Sequence, residues 1–210
     1  FARLRSTAYA VVDQAAEELR CSDFVPLAFE LSFGDGRDAD LPAVVISEPD
    51  GELRVGGKVD RVDGWLKDGK LYLRVVDYKS GKKSFDLSAV RMGLDIQMLL
   101  YLFTLQKTGA ARFGAGIEPA GVLYLPARDG ILSVRRNIPP EKLQAEREKQ
   151  LRRSGLLLAE PQVLQAMEHE ALTEPRYLPL RVNKSGDLSG SLASAAQLGK
   201  LGRYVETLLR

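Results

Sequence analysis

One cysteine, Cys21, one histidine, His169, and one tryptophan, Trp65, stand among 210 residues. A lone cysteine excludes a disulfide within the chain and any cluster held by several of its own thiolates, and a reducing cytoplasm is the simple reading. A lone histidine leaves no room for a site built on several imidazoles. No run of 18 apolar residues occurs, so no membrane-spanning helix is expected. No basic-then-apolar leader is visible. The chain opens on Phe1 rather than Met, which predicts a piece of something longer. A strong charge of either sign is missing too: 30 Lys+Arg against 28 Asp+Glu leave +2. That excludes a strongly basic nucleic-acid tail, but it does not say where the positive charge sits. No G-x-x-x-x-G-K-[ST] loop is present, so nucleoside triphosphate binding is not expected in this chain.

What is present is an ordinary globular balance, 45% apolar and 28% charged. We read residues 1–210 as a single domain. Leu4, Ala8, Val11, Val12, Ala15 and Leu19 recur at helical spacing and predict a helix over residues 3–19. Residues 26–33 alternate, with Leu27, Phe29, Leu31 and Phe33 on the buried face. Ala43–Ser47 is a short strand, Pro49-Asp50-Gly51 a turn. Two long β-like runs follow, Glu52–Leu66 and Leu71–Lys79. Leu94–Leu105 is apolar nearly all round and predicts a buried helix. Gly121–Ala127 and Ile131–Arg136 predict a second hairpin around Arg128-Asp129-Gly130. Helices are expected from Pro139-Pro140 to Arg153, from Pro161 to Leu172 and from Ser194 to Leu209, with a strand at Tyr177–Val182 and a mobile Gly/Ser-rich stretch at Ser185–Ser194. The order predicts an α/β fold, a central mixed sheet flanked by helices.

The first hairpin carries the chemistry. Asp68-Gly69 between the two long runs is a strong two-residue turn signal. That turn sets Lys67 against Lys70, Trp65 against Tyr72 and Val62 against Val75, so like meets like. The same register puts Asp60 opposite Asp77 and Lys58 opposite Lys79. Facing side chains lie roughly 4.5–5.5 Å apart at Cβ. Two carboxylates at that distance repel unless a cation stands between them, and Mg²⁺ is often held by one or two carboxylates plus water. Lys79 shares the face of Asp77, while Tyr78 points away. The alternative is a solvated sheet face with scattered charges. Asp63 has the opposite orientation to Asp60 and meets Arg74, so we assign it to a structural ion pair. Further on, Gln97 and Tyr101 are one helical turn apart on a helix expected to be buried, where an amide needs a partner. Backbone groups or a polar site would supply one.

Taken together, Gly57-Lys58-Val59-Asp60-Arg61-Val62-Asp63, Val75-Val76-Asp77-Tyr78-Lys79-Ser80-Gly81 and Gly93-Leu94-Asp95-Ile96-Gln97-Met98-Leu99-Leu100-Tyr101 resemble the RecB-type branch of the PD-(D/E)XK nuclease superfamily. Each block alone is weak; their order and spacing make the set specific. Within that branch the chain is similar to the C-terminal nuclease domains of bacterial helicase–nuclease complexes, a likeness that residues 174–210 extend. The resemblance implies a restriction-endonuclease-like core and a Mg²⁺-dependent deoxyribonuclease, an exonuclease serving double-strand break repair and recombination, with Mn²⁺ as a possible substitute. Asp60, Asp77 and the Tyr78 carbonyl would hold the metal. Lys79 would be the catalytic lysine, and Gln97 and Tyr101 would line the site and position DNA. DNA and a helicase/nuclease partner subunit are the implied partners.

Two departures stand out. Related enzymes often supply a metal-binding His from a helix ahead of the core, and none precedes it here. The iron–sulfur cluster of such proteins needs four cysteines, whereas Cys21 is alone and reads as a packed thiol. His169 belongs to no ligand-spaced cluster and reads as an ordinary helix residue. Lys79, Lys82 and Lys83 cluster just past Asp77, with Lys58 and Arg61 nearby, and Lys58, Lys82 and Lys83 are the expected phosphate contacts, because DNA binding needs local rather than total positive charge. Glu30 could reach the site through water, but a solvated carboxylate is the simpler reading. Two other functions stay open: a non-catalytic nuclease-fold module that binds DNA or scaffolds a complex, and a nuclease of a CRISPR-adaptation or phage system.

Overall fold

Asp68 and Gly69 both take positive φ, 50° and 75°, the backbone that a two-residue hairpin turn of the right twist requires. The computed structural model, which describes residues 2–48, 51–81, 83–127 and 137–210, builds its sheet outward from this turn. Strands β5 (Gly57–Lys67) and β6 (Lys70–Lys79) follow β1 (Val25–Gly34), β2 (Leu41–Pro42), β3 (Val44–Glu48) and β4 (Gly51–Val55). The ladder between β5 and β6 runs from Lys67–Lys70 through Trp65–Tyr72, Asp63–Arg74 and Val62–Val75 to Arg61–Val76, which is the expected register.

Two more strands complete the centre, β7 (Gly116–Pro126) and β8 (Ser154–Leu158), and β11 (Leu192–Ala193) lies at the edge. The seven-stranded sheet has the order β11-β8-β7-β6-β5-β1-β2. It is mixed: β6 and β7 are parallel, while β5–β6 and β7–β8 are antiparallel. A parallel pair needs a crossover, and α2 (Leu87–Arg91), α3 (Gln97–Thr108) and α4 (Ala110–Phe113) provide it. α3 packs on β6 and β7 and buries Met98, Leu99, Leu102, Phe103 and Leu105. The remaining elements are α1 (Ala2–Arg20), α5 (Pro140–Leu151), α6 (Pro161–Met167), the ribbon β9 (Leu180–Val182) with β10 (Leu188–Gly190), and α7 (Ala195–Leu208). Ser194 opens α7 with a reciprocal cap: its side chain accepts from the Gln197 N–H while Gln197 accepts from the Ser194 N–H. The fold is thus the α/β class read from the sequence, a central mixed sheet flanked by helices. No helix among the described residues is long and apolar enough to cross a membrane.

Several expectations are corrected. The run Glu52–Leu66 is two strands, because the chain leaves the β3–β4 ribbon at Gly56 before entering the main sheet. Phe29 is exposed, not buried. Glu30 adopts the left-handed backbone, φ 51°, and the register shifts between Pro26 and Ala28, so the alternation of β1 inverts and Ala28 and Leu31 both turn inward. The helix expected from Leu94 begins at Gln97, because Gly93 (φ 75°) and Asp95 (φ 55°) hold a left-handed turn there, and Leu94 is exposed. β8 is absent from the sequence reading altogether. α6 stops at Met167 rather than Leu172, and the strand predicted from Tyr177 is regular only over Leu180–Val182. The stretch read as mobile, Ser185–Ser194, supplies β10 and β11, with Asn183 accepting the N–H groups of Ser185 and Asp187. Pro49-Asp50 and the second hairpin's return arm, residues 128–136, lie outside the described residues.

Candidate active site

Just past the last ladder pair of β5 and β6, the Asp60 carboxylate turns onto β6. Its Oδ2 accepts the Tyr78 backbone N–H at 2.9 Å. That N–H belongs to the peptide joining Asp77 to Tyr78, so the Asp60 carboxylate is tied to the backbone next to Asp77. Asp77 is 14% exposed at its side chain. Lys79 Nζ stands 2.7 Å from Asp77 Oδ2, but not in hydrogen-bond alignment, and this buried oxygen has no hydrogen-bond donor among the described residues. The ammonium is its charge partner, as Arg61 Nε at 2.9 Å is for Asp63 Oδ1 on the opposite face. Two carboxylates and the Tyr78 carbonyl on the next peptide are the kind of oxygen donors that a hard divalent ion takes. Among the described residues no group of three or more His, Cys, Asp or Glu side chains is placed to hold a metal. The site offers two carboxylates and the backbone, a donor set that leaves room for water.

α3 closes one side. The Gln97 amide donates to the Tyr101 hydroxyl at 2.7 Å, as their spacing suggests. Tyr101 is buried, and Phe33 meets its ring edge-on at 4.9 Å between centroids. Gln97 is exposed rather than buried, because it opens the helix at the surface. Gly57 explains how the tyrosine reaches β5: a Cβ there would stand 2.6 Å from the Tyr101 hydroxyl, so only glycine admits it.

Of the expected phosphate-binding lysines, Lys58 and Lys83 each have an acidic partner. Lys58 pairs with Glu30 at 3.2 Å, both exposed, and Glu30 stands opposite Asp60 across β1 and β5. Lys83 pairs with Asp95 at 2.6 Å. Lys82 lies outside the described residues. His169 bonds Asp23 at 2.9 Å at the surface, and Cys21 is half-buried and free.

The sequence reading missed Tyr124. The parallel register of β6 and β7 sets it against Asp77. Lys79 Nζ and Lys83 Nζ each lie 5.9 Å from its ring centroid. Burial, then the negative charges of Asp95 and Asp77, push its phenol up to about 12, so it stays neutral at any physiological pH. No pattern within one strand could reveal it; the position follows only from the register of a crossover strand.

The opposite face of the same hairpin is closed. Asp63 receives Arg74 Nε at 2.9 Å, the structural pair read from the sequence, and also Arg61 Nη2 at 3.0 Å, which corrects the placing of Arg61 among the charges that face DNA, since it is buried here. Glu18 of α1 accepts Arg153 Nη2 at 2.9 Å and stands 3.4 Å from Arg74. Arg61 also donates to the Tyr78 hydroxyl at 2.9 Å. Burial opposes the Glu18 charge, but Arg74, Arg153 and Arg61 outweigh it and hold the carboxyl below its ordinary value of 4.5.

The sequence profile of the PD-(D/E)XK nuclease superfamily matches residues 2–196. Bacterial proteins named as one of the subunits of an ATP-dependent helicase/deoxyribonuclease are similar along almost the whole chain. The Acetivibrio thermocellus protein is 37% identical over 99% of this chain and 18% of its own length. Its counterpart in Ruminiclostridium cellulolyticum is 36% identical over 99% of the chain and 18% of its own. The Moorella thermoacetica protein is 37% identical over 89% of the chain and 16% of its own. The chain therefore spans less than a fifth of the length of these relatives.

Proposed function

Because the chain belongs to the PD-(D/E)XK nuclease superfamily, we propose that it is a Mg²⁺-dependent deoxyribonuclease that hydrolyses DNA phosphodiesters as part of a helicase–nuclease complex. The observation that carries this reading is the Asp60–Tyr78–Asp77 junction, where Asp60 accepts the N–H of the peptide that follows Asp77 and the Asp77 carboxylate stands 2.7 Å from Lys79. Asp60, Asp77 and the Tyr78 carbonyl would hold the ion. A bound divalent cation lowers the pKa of water and neutralises charge developing on a phosphate.

The chain's own groups do the rest. The Tyr78 N–H fixes one Asp60 oxygen, so that carboxylate needs little reorganisation to bind. Lys79 stands beside Asp77, placed to orient an attacking water or to stabilise the negative phosphorane as it forms. Gln97 and Tyr101, locked to each other, give a fixed polar edge along which a DNA backbone is positioned. Lys58, Lys82 and Lys83 supply the positive charge that phosphates need. Such a nuclease would serve recombinational repair in the cytoplasm, with DNA and a helicase partner subunit as its companions. Mn²⁺ would substitute for Mg²⁺. An iron–sulfur cluster would need cysteines beyond Cys21, and none of the chemistry assigned to these residues calls for one.

The test is direct. The protein is incubated with linear DNA and Mg²⁺, with and without EDTA, beside Asp77→Ala. Cleavage that stops with EDTA and in the variant supports the reading; cleavage that survives both overturns it.

A further inference from the structure

Lys79 has two partners, and they differ in kind. One is the Asp77 carboxylate at 2.7 Å; the other is the ring of Tyr124, 5.9 Å from the ammonium to the centroid. We propose that Tyr124 is a positioning residue of the nuclease centre, whose ring keeps the Lys79 ammonium in place when Asp77 turns its charge to a divalent cation. The inference rests on the nuclease reading above.

The argument is one of competing charges. A carboxylate that neutralises a divalent ion is a weaker partner for an ammonium, and ion and ammonium repel each other directly. Held by Asp77 alone, Lys79 would swing away just when it is needed. The Tyr124 ring is indifferent to that exchange. A tyrosine phenol is neutral at physiological pH, and the attraction of its face for an ammonium comes from the ring quadrupole. Its place is fixed as well: the ring is 5% exposed on a central strand, registered against Asp77 itself.

Lys83 strengthens the case. It reaches the same ring at 5.9 Å from the loop after β6, with its charge tied to Asp95 at 2.6 Å. Two ammonium groups repel, and no carboxylate is shared between them; the ring is what they have in common. Simple packing would need no cation at this ring. Tyr124 thus couples the lysine beside the candidate metal pair to the loop that presents Asp95 ahead of α3.

The test reads the contact and its consequence separately. In the isotope-labelled protein, the Lys79 ε-methylene protons, assigned with Lys79→Arg, should resonate upfield of ordinary lysines through the ring current, and should stay there when Mg²⁺ is added. They should stay there in Tyr124→Phe and return to ordinary positions in Tyr124→Leu. Tyr124→Phe should keep kcat for DNA cleavage within about twofold. Tyr124→Leu should lower kcat about 3- to 30-fold, the span of one cation–π contact, with KM for DNA unchanged. Ordinary lysine resonances in the Mg²⁺-bound protein, or a Tyr124→Leu kcat equal to that of the parent, overturn the proposal. If Tyr124→Leu does not fold, the resonances of the parent and of Tyr124→Phe decide it alone. Absence of Mg²⁺-dependent cleavage by the parent would overturn the nuclease reading instead, and the resonances would still decide whether the ring holds Lys79.

Discussion

Two groups of charges sit on the same pair of strands, back to back, and they are treated in opposite ways. On one face Arg61, Asp63 and Arg74 join Glu18 and Arg153, all at most 3% exposed, and each acid is gripped by guanidinium groups. On the other face Asp60, Asp77 and Lys79 remain partly open. Neighbouring positions in sequence, such as Asp60 and Arg61, fall on different sides because strand side chains alternate. The closed face carries three guanidiniums against two carboxylates and is shut off from water, so it acts as structure. The open face keeps its carboxylates and its ammonium within reach of solvent, as a place for a ligand must.

The comparison can be broken in four ways. Asp77→Ala should lower cleavage by about 10³-fold, the upper end for removing one charge-stabilising group. It should leave the thermal midpoint nearly unchanged without metal and abolish the rise that Mg²⁺ gives the parent; calorimetry with and without Mg²⁺ checks this. Asp63→Ala should do the reverse. It strands two buried guanidiniums and should cost about 3–5 kcal/mol in urea denaturation, with cleavage per folded molecule retained. If Asp63→Ala folds like the parent and fails to cleave, the two faces have been assigned the wrong way round.

The third variant is Glu18→Gln, expected to cost about 1–3 kcal/mol at neutral pH through the loss of charged hydrogen bonds. The Glu18 carboxyl is lowered in the folded protein, so its contribution is fully present above the ordinary value of 4.5 and is lost as pH falls below that through the folded-state value. Parent and variant stabilities should therefore converge in acid, as thermal melts from pH 6 down to about pH 3 would show. Smallest of all, Lys58→Ala should change stability by about 0–1 kcal/mol, since its pair with Glu30 is exposed. It should still reduce the salt dependence of DNA binding by about one phosphate contact, measured by titration at several ionic strengths.

The hairpin is readable because apolar and aromatic pairs match across an Asp-Gly turn, and the open and closed faces follow from that register by alternation alone. Asp63–Arg74 is legible for the same reason. Helices with apolar periodicity or a capping serine are legible too, as α1 and α7 show. β8 is not. Ser154-Gly155-Leu156-Leu157-Leu158 is a strand buried on both sides, so it shows no alternation, and a short apolar run between two helices looks like more helix. The partners of Asp63 beyond its own hairpin are hidden as well. Glu18 and Arg153 are 135 residues apart in sequence, and nothing local predicts that they meet. The exposure of Gln97 is hidden because the apolar run from Leu94 looks continuous, while the left-handed backbones of Gly93 and Asp95 delay the helix.

The contact between Gly57 and Tyr101 ties together the fates of two distant codons. The phenol occupies the volume in which any larger residue at 57 would place its first carbon. Position 57 cannot gain a side chain while the tyrosine stays. A lineage that gives up the tyrosine releases the glycine, and one that acquires a side chain at 57 must first shrink residue 101. Joint replacement of the two across divergent relatives is the historical trace that this packing should leave.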